Sequence, residues 1–146
     1  GLNVDVIIGP GVPASQQNQI ENTTSVPGVT FDIHENPNNF AELLHRADFA
    51  VSALGLTTYE LFALQTPIIG IKTAPDQAPK ATFVQEQDVG LVTKNHTPKA
   101  VRQEVEIMLN NPNKRRRYRN QATDLIDPDG INRVVDYLER AVNKRK

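Results

Sequence analysis

Phe49-Ala50-Val51-Ser52-Ala53-Leu54-Gly55-Leu56-Thr57-Thr58-Tyr59-Glu60 decides the fold. A short run with β-branched content stops at a glycine. Two threonines, either able to cap a helix, then open a segment in which Leu61, Phe62 and Leu64 recur at helical spacing. Strand, tight turn and helix in so few residues form the first half of a βαβ unit.

The same grammar repeats outward. On the C-terminal side, residues 67–71 (Pro67-Ile68-Ile69-Gly70-Ile71) read as a strand with proline at its start. Residues 76–86 are helical in outline with Pro79 in the first turn, and residues 89–92 make a short strand. On the N-terminal side, Val4-Asp5-Val6-Ile7-Ile8 is a strand cut off by Gly9-Pro10-Gly11. A helix is expected over residues 14–22 and a strand over 29–33. Asn38 or Asn39 can cap another helix over 40–47.

From Thr97 the pattern is helical only. Thr97-Pro98 is a cap followed by proline at the first helical position, leading to Val101, Val105, Met108 and Leu109. A helix over residues 114–125 follows, and then a last amphipathic one carrying Val134, Val135, Leu138 and Val142. The expectation is an α/β, Rossmann-like, doubly wound parallel sheet of about five or six strands, with closing C-terminal helices packed outside.

Composition narrows the function. A chain of 146 residues with 38% hydrophobic and 23% charged residues suits one soluble domain with its own core. Its net charge of −1 announces no nucleic-acid partner. No apolar run approaches the ~20 residues of a membrane span, and the first residues do not read as a signal peptide. With no cysteine there is no disulfide framework, no thiolate nucleophile and no cysteine-based zinc site, which fits a cytoplasmic location. The abrupt start at Gly1, straight into a strand, reads as a domain cut from a longer protein.

In an open parallel sheet the ligand lies beyond the carboxyl ends of the strands. That selects residues 9–14, 34–39, 53–58 and 72–77. The turn at Gly55 leaves backbone N–H groups at a helix start, where an anion such as a diphosphate is favoured. Thr57 and Thr58 could add donors, and Glu60 could accept from ribose hydroxyls. The competing reading is that a threonine and Glu60 only cap the helix. Asp76 and Gln77 either cap the next helix or face a sugar. Gly9-Pro10-Gly11 matches no phosphate-loop pattern. His34, His45 and His96 lack metal-ligand spacing, so no metal and no cofactor is expected. The basic run Lys114-Arg115-Arg116-Arg117-Tyr118-Arg119 reads as a solvated helix face more readily than an RNA-binding stripe.

Residues 47–61, with Ala47-Asp48, Ser52-Ala53, Gly55 and Thr57-Thr58-Tyr59-Glu60, resemble the signature of the C-terminal domain of GT-B glycosyltransferases. Ala63-Leu64-Gln65-Thr66-Pro67, Asp76-Gln77 and Asp129-Gly130 with Arg133-Val134-Val135 continue the likeness. The nearest subgroup contains the UDP-sugar hydrolase of pseudaminic acid synthesis and spore-coat polysaccharide proteins. The resemblance implies that Gly55, Leu56, Thr57 and Thr58 cradle the diphosphate and Glu60 binds ribose. It places Asn36, Pro37 and Phe40 beside the base, and Asp76 and Gln77 before the donor sugar. It implies a UDP-sugar donor, surface-polysaccharide synthesis, and an N-terminal domain that carries the acceptor site. A non-catalytic nucleotide-binding or assembly module and a sugar-nucleotide epimerase share the architecture. Leu54 and Leu56 depart from the family pattern, which has glycine and a small hydroxyl residue there, and either leucine could crowd the phosphate.

Overall fold

The computed structural model describes residues 1–23, 26–127 and 129–143. The chain forms two compact units, residues 1–43 and 44–146. Among the described residues there are five strands, and their order along the chain follows the expected alternation.

In the first unit β1 (Leu2–Ile8) pairs in parallel with β2 (Val29–Glu35), linked by α1 (Ala14–Thr23). The register sets Val4 beside Phe31 and Val6 beside Ile33 on one face. Asp5 stands beside Asp32, and Ile7 beside His34, on the other. One face is therefore apolar and the other largely polar, whereas a doubly covered parallel strand is apolar on both. His34 meets Asp5 across this polar face, Nε2 to Oδ1 at 2.7 Å, and both side chains are three-quarters buried. The chain then enters α2 (Phe40–Arg46).

The second unit is built on β3 (Ala50–Ala53), β4 (Ile68–Ile71) and β5 (Gly90–Val92), all parallel, in the order β3-β4-β5. α3 (Thr57–Ala63) joins the first pair. A short 3₁₀ turn (Pro75–Gln77) and α4 (Ala78–Glu86) join the second. Central β4 reads Ile-Ile-Gly-Ile because both its faces are covered, and Ile68 and Ile69 are completely buried. Ile69 packs with Met108 and Tyr118, which come from α5 (Pro98–Asn110) and α6 (Pro112–Gln121). Each such side chain contributes about 1.5–3 kcal/mol by leaving water.

Two glycines are dictated by packing. A Cβ on Gly70 would meet the Leu54 Cδ2 at 2.5 Å, and one on Gly90 would meet the Ile68 carbonyl oxygen at 2.2 Å. Leu54 is thus fully buried in the core, over Gly70.

The helix ends before β4 and β5 share one device. Gln65 and Asp88 adopt left-handed backbone, with φ of 56° and 52°. The N–H groups of Thr66 and Val89 reach back to the Leu61 and Val84 carbonyls, at 2.8 and 3.2 Å. This is the Schellman arrangement, made here without glycine.

Thr97 caps α5 as its sequence position predicts, accepting from the Ala100 N–H at 3.3 Å with Pro98 following. The last helix, α7 (Gly130–Asn143), departs from expectation. It forms, but residues 131–143 are all exposed, so its apolar face is not packed on the described body. No helix among the described residues is long and apolar enough to cross a membrane.

Candidate functional site

At the carboxyl end of the three-stranded sheet the loops following all three strands are tied at their roots. The Leu54 N–H donates to the Ile71 carbonyl (3.2 Å), and the Thr93 N–H donates to the Gly70 carbonyl (3.0 Å). α3 and α4 adjoin above them. Phe62 and Phe83 meet with ring centroids 5.9 Å apart, and the Lys80 ammonium lies 5.4 Å from the centre of the Tyr59 ring. Residues 53–58 and 72–77 therefore share one end of one sheet, as the strand pattern predicts.

The turn between β3 and α3 is open. The Gly55 N–H folds back to the Ala53 carbonyl at 2.8 Å, and a Cβ on Gly55 would meet nothing within 4 Å. Leu56 occupies the cap position of α3, so the expected threonine cap is not formed and no side chain caps the helix. The reason is phase: the helix begins at Thr57, one residue too early for either threonine to stand outside it. The first N–H groups of the helix are left unclaimed by any side chain.

The two threonines are not equivalent. Thr58 shares the helical spacing of Leu61 and Phe62 and belongs to the buried stripe. It is 1% exposed, and its Oγ1 is sealed from solvent without a partner. Thr57 is half-buried and Glu60, one turn on, is exposed. This division was legible in the spacing 58-61-62, which places Thr58 with two core residues.

The leucines also separate. Leu54 faces the core and does not crowd the turn, whereas Leu56 is 79% exposed beside it. After β4, Asp76 is exposed and caps nothing, since Ala74 and Gln77 hold the cap positions of the 3₁₀ turn and α4 without side-chain bonds. The Gln77 carbonyl Oε1 accepts from the Thr73 N–H (2.8 Å) and hydroxyl (3.2 Å), closing the loop on itself. Tyr59 and Lys80 were not selected from the sequence. A lysine four residues past Asp76 on the same loop-helix junction was the available signal.

Asn36, Pro37 and Phe40 lie in the first unit. Asn36 is exposed in left-handed backbone (φ 44°), with its N–H on the Ile8 carbonyl at 3.0 Å. Pro37 and Phe40 are half-buried. His34 is engaged with Asp5, while His45 and His96 stand exposed. Among the described residues no group of three or more potential ligands is placed to hold a metal.

The basic helix is spent on the fold. Arg115 donates to the Met108 carbonyl and, at 3.2 Å, to the Leu109 carbonyl at the end of α5. Arg119 donates to the Ala47 carbonyl (3.2 Å), and Arg117 pairs with Asp88 at 2.8 Å. Ala47 and Asp88 precede β3 and β5, so these contacts lie at the amino ends of the strands, opposite the open turn.

Over more than nine-tenths of the chain the fold matches solved glycosyltransferase structures. A spinosyn rhamnosyltransferase complexed with spinosyn aglycone aligns with a TM-score of 0.62 at 14% identity, covering 93% of this chain and 45% of that one. A spinosyn forosaminyltransferase aligns at 0.63 and 17%, covering 97% and 44%. A glycotransferase of kitacinnamycin aligns at 0.58 and 16%, covering 94% and 43%. The chain spans less than half the length of these proteins. No curated protein matches it. At the level of sequence, residues 4–125 match the family described as glycosyl transferases group 1. With most of its length inside that match and its α/β fold shared with these glycosyltransferases, the chain belongs to the glycosyl transferases group 1 family.

Proposed function

We propose that this chain is the nucleotide-sugar-binding half of a two-domain GT-B protein, which transfers or hydrolyses the sugar of a UDP-sugar in making a surface polysaccharide. The observation that carries the reading is the uncapped, open turn at residues 55–58, at the carboxyl end of β3 in a chain of this family. Unclaimed N–H groups and the positive end of the helix suit a diphosphate. In this reading Gly55, whose own N–H is held by the Ala53 carbonyl, keeps the turn open for the diphosphate, and Leu56 and Thr57 hold it through their backbone N–H groups, with the Thr57 hydroxyl added. Thr58 contributes its N–H, because its hydroxyl is sealed. Glu60 accepts from ribose hydroxyls, and Asp76 and Gln77 face the donor sugar.

Stabilising the departing diphosphate is this half's chemical contribution. An N-terminal domain supplies the acceptor site and the base that activates water or a hydroxyl. The finer likeness to the pseudaminic acid UDP-sugar hydrolase and spore-coat proteins is part of the proposal. A second reading, a nucleotide-binding module without turnover, is favoured by the exposed Leu56, which stands where the family has a hydroxyl. Leu54 lends it no support, being buried over Gly70.

Calorimetric titration of the chain with UDP, GDP and CMP tests the nucleotide site. UDP is expected to bind in preference to the other two, and Glu60→Ala is expected to weaken it about tenfold, as for a lost hydrogen bond to a charged group. UDP binding that is indifferent to Glu60→Ala would remove the ribose assignment. Release of UDP from UDP-sugars by the full-length protein, with the sugar found free or on an acceptor, separates the enzyme from the silent module.

A further inference from the structure

Lys80 is the third residue of α4, and no acidic residue shares that first turn. A cation there opposes the helix dipole, which favours negative charge at a helix start. Asp76 stands four positions earlier, the favourable order and spacing for a helical ion pair, yet the two do not pair. Among the described residues no carboxylate neutralises the Lys80 ammonium. Its half-buried side chain reaches across to α3 instead, where the ammonium lies 5.4 Å from the centre of the exposed Tyr59 ring. The ring steadies the charge without cancelling it.

Gln77, one turn before Lys80, has its amide fixed in orientation. Its Oε1 accepts from both the Thr73 N–H and the Thr73 hydroxyl, at 2.8 and 3.2 Å. The Nε2 group, which can only donate, is what the side chain has left to offer a ligand. Residues three apart are neighbours on a helix face, so an ammonium and an amide donor stand together at the carboxyl end of the sheet.

In the reading above the diphosphate lies at the start of α3 and the sugar lies before Asp76 and Gln77. The anion that Lys80 meets is then further along the donor than the diphosphate. A neutral sugar offers only hydroxyls, and closing a site over an ammonium without a counter-charge costs binding energy. A carboxylate accepts only, and it satisfies an ammonium and an amide N–H at once.

We propose that Lys80, steadied by Tyr59, selects a donor whose sugar carries a carboxylate, a uronic acid, with the Gln77 amide as its second donor. The proposal rests on the nucleotide-sugar reading above.

The test is calorimetric titration of the chain with UDP, UDP-glucose and UDP-glucuronate, the last two differing only in a hydroxymethyl group against a carboxylate. The expected result is about tenfold tighter binding of UDP-glucuronate than of UDP-glucose, the scale of one charge-assisted hydrogen bond. Lys80→Gln should erase that preference and leave UDP affinity unchanged, whereas Lys80→Arg should keep it. Equal affinity for the two sugar nucleotides in the unaltered chain would overturn the selection while leaving the nucleotide site intact. A preference that survives Lys80→Gln would overturn the assignment to this residue. Equal weakening of all three ligands by Lys80→Gln would overturn it in favour of a cation for the diphosphate. Failure of the unaltered chain to bind UDP at all would overturn both readings.

Discussion

The two ends of the β3-β4-β5 sheet are built by opposite rules. At the amino end many polar groups are tied down, although α6 too starts without a side-chain cap. The Thr66 hydroxyl donates to the Leu44 carbonyl at 2.8 Å, two Schellman motifs close α3 and α4, and three arginines of α6 hold backbone carbonyls or Asp88. At the carboxyl end α3 and the 3₁₀ turn lack side-chain caps, Gly55 faces empty space, and the Thr58 and Thr93 hydroxyls have no partner. Buried polar groups are normally satisfied, so this asymmetry carries information. The fold ties side chains to backbone at one end and leaves the start of α3 uncapped at the other, where a ligand of a parallel sheet binds. The buried Thr58 and Thr93 hydroxyls are sealed from such a ligand.

The largest effect is expected where packing leaves no slack. Gly90→Ala drives a Cβ against the Ile68 backbone oxygen, which cannot swing away. It is expected to cost about 3 kcal/mol or more, read as a fall in the urea midpoint. Gly70→Ala meets only the movable end of Leu54 and is expected to cost less. In a Leu54→Ala background most of that cost should vanish, a coupling that a double-mutant cycle measures.

Next comes the tied end. Thr66→Val removes the buried hydroxyl donor from the Leu44 carbonyl, which keeps the Ala47 N–H at 3.3 Å, and is expected to cost about 1 kcal/mol. Nucleotide affinity should be unchanged. Loss of affinity with the remaining fold intact would break the division between the two ends. Gln65→Gly should do the opposite, stabilising the chain by about 0.5–1 kcal/mol, because glycine adopts the left-handed C′ conformation without strain.

The smallest stability effects belong to the open end and discriminate most sharply. Thr58→Val replaces a partnerless hydroxyl with a methyl group of similar size, so stability should hold or rise slightly, with UDP affinity unaffected. Thr57→Ala should leave the unfolding midpoint within about 0.5 kcal/mol and weaken UDP binding. If Thr58→Val weakens binding and Thr57→Ala does not, the assignment of the two hydroxyls is reversed.

Most of this architecture was legible in the chain. β-branched runs stopped by Gly9, Gly55 or a proline marked the strands, and Thr97-Pro98 marked its helix start to the residue. The loops at the carboxyl ends followed from strand order alone. What escaped notice depended on phase and on distant partners. A shift of one residue at the start of α3 makes Leu56, and neither threonine, the cap. The destination of Leu54 depends on Gly70, sixteen positions away, and the arginines of α6 depend on carbonyls at Ala47 and Met108. Amphipathicity announced α7 but could not say that its apolar face stays exposed on the described fold.

The claim that the open turn holds a nucleotide diphosphate is tested most directly by amide chemical-shift mapping as UDP is added to isotopically labelled chain. The account predicts that the largest shifts fall at residues 53–60 and 72–77, while residues 112–121 at the tied end stay still. Shifts that cluster on the basic helix α6, or that leave residues 53–60 unmoved while UDP is bound, would contradict it.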